Sequence, residues 1–133
     1  PEAWQVLNEQ GRWMAKAECS DKFCANIVYY HNPKPSMEVE ALVNAVVQEL
    51  KSTYGPSFEL ISTSPIYENP TQFSIAYAFG KEGIYLAGYT YVVLTESDLH
   101  TFEVLDDYKN ADEVEDKLER ASQICGSLQV EKY

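Results

Sequence analysis

The stretch 73–106 constrains this chain more than any other. It reads FSIAYAFG, a turn at KEG, IYLAGYTYVVLTE, a turn at SD, then LHTFEVLD. In its first segment Phe73, Ile75, Tyr77 and Phe79 alternate with Ser74, Ala76 and Ala78, the period-two pattern of a half-buried strand. The three segments predict consecutive antiparallel strands, with the rest of the chain arranged to cover them. Segments 73–79 and 84–94 carry apolar residues at both parities, which predicts that both faces of the sheet are at least partly covered. Gly88, inside the middle strand, marks a bulge, a bend or a close backbone approach.

The flanks are read in chain order. Residues 1–10 form a capping segment that lays Trp4 and Leu7 on the core. RWMAKAECS–DK–FCANIVYY reads as a hairpin with Asp21 and Lys22 as its turn, so Cys19 faces Cys24. The second pair out from a two-residue turn is a non-hydrogen-bonded one with Cα atoms about 4.5–5 Å apart. That is within reach of a disulfide, and a Cys19–Cys24 bridge is expected, worth about 2 kcal/mol for so short a loop. Two reduced cysteines at the core edge are the alternative. The CxxxxC spacing differs from the CxxC of redox motifs, and no ligand spacing supports zinc.

Pro33 and Pro35 break the strand. Ser36 is then the expected N-cap of a helix whose Val39, Leu42, Val43, Val46, Leu50 and Tyr54 make one apolar stripe. Gly55 and Pro56 stop it. A short strand at 58–63, a loop to 71 and the three central strands follow. Asn110 or Asp112 caps a last helix running to about Cys125, which is read as a buried, inert thiol. Gly126 ends that helix and SLQV is a tail. The whole, 1–133, is one domain of α+β class: a mainly antiparallel sheet of about six strands in the order β-β-α-β-β-β-β-α, flanked by two helices as an α/β/α sandwich.

This element order, with ANIVYY ending the early hairpin and a final helix running into ICGSLQV, resembles the Mog1/PsbP-like superfamily. That group includes Ran-binding and photosystem-associated proteins and small exported bacterial proteins and lipoproteins. The resemblance implies non-catalytic binding or assembly and no particular partner; an exported protein with a protein partner is the expectation. It carries over no functional residue, because no site motif of the group is matched.

Charge narrows the partners. With 21 acidic against 10 basic residues the net charge is −11, which disfavours nucleic acid and anionic membranes, since phosphate binding needs clustered Lys and Arg. No apolar run reaches the ~18–20 residues of a membrane span. The chain begins at Pro1, as expected of one whose signal peptide was removed or one trimmed at its start. An extracytoplasmic location is the expectation, and a lipid anchor upstream of Pro1 is compatible with it.

Chemistry is sparse in the pattern. No GxSxG, HExxH, phosphate loop or dinucleotide fingerprint occurs, and no cofactor is expected. His31 and His100 read as ordinary loop or surface residues. The acidic residues at 106–107 and 113–116 read as helix starts and solvated faces rather than a dyad or a calcium loop. Ten tyrosines are the unusual feature. Tyr85, Tyr89 and Tyr91 share a face of the middle strand and Tyr30 ends the early hairpin, together a candidate binding surface. The competing reading has these rings filling the layer between sheet and helices. Three functional readings follow: a non-enzymatic exported binding or assembly module; a small-molecule carrier or enzyme with a pocket at the Tyr-rich strand; and an acidic inhibitor or immunity-type protein that blocks a basic partner.

Overall fold

The computed structural model describes residues 2–8, 13–19, 27–68, 70–126 and 129–132, with side chains for 28–68, 70–80 and 82–126. In chain order these form β1 (Glu2–Asn8), β2 (Trp13–Cys19), β3 (Ile27–Pro33), α1 (Val39–Tyr54), β4 (Glu59–Thr63), β5 (Thr71–Lys81), β6 (Ile84–Leu94), β7 (Asp98–Tyr108), α2 (Glu113–Gly126) and β8 (Gln129–Lys132). Strands β3 to β7 make a five-stranded antiparallel sheet in the order β3-β7-β6-β5-β4. A second sheet has the order β1-β2-β8. The α+β class is as expected; five strands rather than six form the main sheet.

The predicted meander is present. Pairing of β5 with β6 runs unbroken from Thr71 opposite Leu94 to Lys81 opposite Ile84. Glu82 and Gly83 close this hairpin with φ of 53° and 82°. Positive φ at both central residues is the type I′ geometry, whose twist matches that of the flanking strands. Gly88 lies opposite Tyr77 on one side and Leu105 on the other, with no shift of register. It therefore marks a close approach, not a bulge: a Cβ there would overlap the ring of Tyr77.

Helix α1 leaves the β3 edge, crosses one face and delivers the chain to β4 at the other edge. Its stripe is the predicted one. Leu42 is buried, and Val39, Val43, Val46, Leu50 and Tyr54 pack on Phe73, Ile75, Tyr77, Phe79, Val92 and Leu94. Each such side chain contributes about 1.5–3 kcal/mol when fully buried. Gly55, with φ of 77°, ends the helix and its N–H bonds to the carbonyl of Lys51. Helix α2 covers the opposite face, packing on β6 and β7 and also on β2. It buries Ala121, Ile124 and Cys125, and its Lys117 pairs with Asp106 of β7 at 3.3 Å. Among the described residues no helix is long and apolar enough to cross a membrane.

Several expectations are corrected. Residues 2–8 form a strand rather than a capping segment, and 129–132 add a strand where a tail was expected. The early hairpin is not formed. Strand β2 pairs with β1 on one edge and β8 on the other, while β3 pairs with β7. With both edges of β2 occupied, no ladder is left for β3. The backbone partner of Cys19 is Glu2; Cys24, and with it the expected bridge, lies outside the described residues. Ser36 does not cap α1. The first helical bond runs from the N–H of Leu42 to the carbonyl of Glu38, so Ser36 stands two residues too early. Before α2, the Glu113 carboxylate takes the backbone N–H groups of Lys109 at 2.7 Å and Asn110 at 3.0 Å. Those two bonds hold its carboxyl below the usual range. His100 is not a surface residue either: it is fully buried on β7, because the alternation that buries Phe102 and Val104 places it on the same side.

Candidate functional site

The register of the sheet builds a polar cluster inside the face that α1 covers. Thr90 of β6 and Glu103 of β7 are direct cross-strand partners. Next to them, the missing side chain at Gly88 lets the Tyr77 ring lie across the strand and reach that pair. Tyr54, the last residue of α1, comes down from above, its ring stacked on Phe79 with centroids 3.7 Å apart.

The hydroxyls of Tyr54 and Tyr77 both donate to Oε2 of Glu103, at 2.8 and 2.5 Å. The single hydroxyl proton of Tyr77 is committed there, so Thr90 donates in turn to the Tyr77 oxygen at 2.9 Å. Burial, then the bond to Glu103, pushes the Tyr54 phenol well above the usual tyrosine range. For Tyr77 burial again comes first, followed by the charge of Glu103. Both stay protonated donors. Glu103 itself is only 8% exposed, and its Oε1 takes no hydrogen bond from any described residue.

Glu103 is among the residues lining a groove of about 550 Å³ between α1 and the sheet. Thr90, Thr101 and Glu103 contribute to its polar side, and Leu42, Val46, Leu50 and Leu99 to its apolar walls. Tyr30 and Glu49 also line it; two of the lining residues are acidic and none is basic. The volume lies within the range of small-molecule sites, and an apolar cleft with a few converging polar groups is their usual chemistry. No group of three metal-ligating side chains occurs among the described residues.

The tyrosines singled out by pattern are divided between the two faces. Tyr30 lines the groove and is 49% exposed. Tyr85, Tyr89 and Tyr91 lie on the α2 face. Tyr85 is exposed and its ring sits beside Tyr108, centroids 5.9 Å apart. Tyr89 is half-buried and reaches Ser122 of α2 at 3.5 Å. Tyr91 donates to Gln72 and packs against Phe102. Burial pushes its phenol up to about 12, and it raises the Cys125 thiol as well.

On this second face the sheet also holds a histidine pair. His31 and His100 are cross-strand partners with rings 5.3 Å apart. The Tyr29 hydroxyl meets Nδ1 of His100 at 2.7 Å, and Nε2 of His31 meets Asp98 at 2.6 Å. Burial, then the neighbouring His31, pushes His100 down to about 4. The hydrogen bond from His31 lowers the Asp98 carboxyl.

Pattern reading missed Tyr54, Thr90 and Glu103. The available signal was in LHTFEVLD: Leu99, Thr101, Glu103 and Leu105 share one parity, so an acidic residue sits on a strand face that a helix covers.

Comparison with known proteins bears on the fold. No protein-family model matches the sequence, and a search of curated proteins finds no match. Solved structures do match. Cyanobacterial PsbP (CyanoP) from Synechocystis sp. PCC 6803 superposes with a TM-score of 0.63 at 8% identity, covering 97% of this chain and 92% of that one. LpqN of Mycobacterium tuberculosis, involved in cell envelope biogenesis, gives a TM-score of 0.54 at 13% identity over 96% and 82%. A protein of unknown function and putative regulator from Pseudomonas aeruginosa, PA94, gives 0.50 at 12% over 92% and 78%. The chain has the Mog1/PsbP-like fold.

Proposed function

We propose that the protein is a non-enzymatic binding module that works outside the cytoplasm, with the groove between α1 and the sheet as its ligand seat. One observation carries this reading: a buried carboxylate in the lining of an apolar groove is held at one oxygen by two neutral tyrosine donors, and no described residue donates to the other. A satisfied core carboxylate would spend both oxygens internally. Tyr54 and Tyr77 suit anchoring better than proton transfer, because a phenol held far above its usual range is reluctant to lose its proton at neutral pH. Export is supported by the likeness to LpqN, a protein involved in cell envelope biogenesis.

A thermal-shift screen of small organic ligands tests the reading. Ala45 lines the groove from α1 and is exposed, so Ala45→Phe fills the space without touching Glu103. Ligands that raise the melting temperature of the wild type and fail on Ala45→Phe are expected. Stabilisers that act equally on both proteins contradict the groove as the seat. A ligand recovered chemically changed contradicts the non-enzymatic assignment.

The net charge of −11 favours a second reading, an acidic protein that blocks a basic partner. Its capture of a basic partner would weaken sharply between low and high salt. Groove binding of a mainly apolar ligand would change far less.

A further inference from the structure

We propose that the groove selects small organic cations: molecules with an apolar body and one ammonium group, the ammonium donating to Oε1 of Glu103. The proposal rests on the groove being a ligand seat and adds the class of ligand. Three features point the same way. First, Tyr54 and Tyr77 both donate to Oε2 and no described residue donates to Oε1, so a carboxylate here keeps its acceptor capacity at Oε1. A ligand group placed against Oε1 must therefore donate, and a charged donor makes the stronger bond. Second, the groove's lining includes two acidic side chains, Glu103 and Glu49, and no Lys, Arg or His, so an anionic head group would meet uncompensated repulsion. Third, Leu42, Val46, Leu50 and Leu99 offer apolar surface to the body of the ligand, and the lining includes Tyr30 and Tyr54, aromatic residues of the kind that attract cations. The size, about 550 Å³, suits a small molecule.

Glu103 would also be costly to bury without a charged partner, which gives the site a reason to be filled by a cation rather than by a neutral amide. The recognised chemistry is a protonated primary amine on a hydrocarbon or aromatic body.

Calorimetric titration of the whole chain with octylammonium, octanol and octanoate separates the outcomes. Octylammonium is expected to bind at least about tenfold more tightly than octanol, the worth of a hydrogen bond to a charged group, with octanoate weakest. Glu103→Gln, which keeps an acceptor for Tyr54 and Tyr77, is expected to remove that preference while octanol binding remains. Ala45→Phe is expected to abolish binding of all three. Equal binding of octanol and octylammonium by the wild type, blocked by Ala45→Phe, overturns the cation preference and leaves the groove as a ligand seat. Binding that survives Ala45→Phe, or no binding by any of the three probes, overturns both. Circular dichroism of each variant establishes that loss of binding is not loss of fold.

Discussion

On the α1 face of the main sheet, β5 presents the large side chains Phe73, Ile75, Tyr77 and Phe79; one residue out of phase, on the α2 face, it presents Ser74, Ala76 and Ala78. All seven are buried. The α1 face nevertheless keeps a groove with a buried carboxylate in its lining, whereas on the α2 face polar side chains pair across the strands and with α2. There Tyr89 meets Ser122, Tyr91 meets Gln72, Lys117 meets Asp106 and Tyr29 meets His100. The groove lies on the face built from bulky rings, between α1 and the sheet, with Thr90 and Thr101 in its lining. Of the tyrosines that stand out in the sequence, Tyr85, Tyr89 and Tyr91 lie on the face opposite the groove and Tyr30 lines it.

The largest test of that contrast is at Gly88. Gly88→Ala puts a methyl into the Tyr77 ring and is expected to cost about 3 kcal/mol in urea unfolding, the upper end of ordinary overpacking. In a Tyr77→Ala background the same change should cost well under half of that, since the ring it strikes is gone. Equal costs in the two backgrounds would show that Gly88 is not there for Tyr77.

The α2 face should reveal itself through acid. His100 titrates near 4 when folded against an ordinary 6.5, so the unfolded chain takes up its proton first as pH falls. Stability contributed by this residue is whole above 6.5 and is lost progressively towards 4, on the order of 2 kcal/mol. Tyr29, His31 and Asp98 face it, and Asp98, lowered by His31, adds a further loss only below its own ordinary range. Chemical denaturation at pH 7 and pH 4.5 should show the difference. His100→Gln should flatten it; an unchanged slope in that variant would assign the acid sensitivity elsewhere.

A smaller effect is expected at Tyr54→Phe. It removes one of two donors to Glu103 while Tyr77 remains, costing about 1 kcal/mol by denaturant titration. It should also weaken octylammonium binding through Glu103 positioning. Tyr85→Ala marks the bottom of the scale. The ring is 58% exposed, so the change should stay within about 0.5 kcal/mol and leave groove binding untouched.

Local rules read the fold well where one pattern dominates. The alternation in 73–79, the stripe from Val39 to Tyr54 and the stop at Gly55 are all realised. They failed where the outcome depended on distant pairing. Nothing local to 13–30 says that β8, more than a hundred residues away, occupies the second edge of β2. The site was harder still. Glu103, Thr90 and Tyr54 come from three elements and look ordinary in their own segments; only register and the reach of Tyr77 over Gly88 unite them. Tyrosine count drew attention to β6, yet Tyr85, Tyr89 and Tyr91 sit on the opposite face, and of the four tyrosines singled out Tyr30 alone lines the groove.

Methyl-resolved NMR during a titration with octylammonium puts the contrast between faces to its most direct test. Shifts and ligand contacts are expected at Leu42, Val46, Leu50 and Leu99, which line the groove, with Val93, Val104 and Ile124 on the α2 side unmoved. Perturbation centred on Val93, Val104 and Ile124 would place the ligand on the tyrosine face and contradict the account.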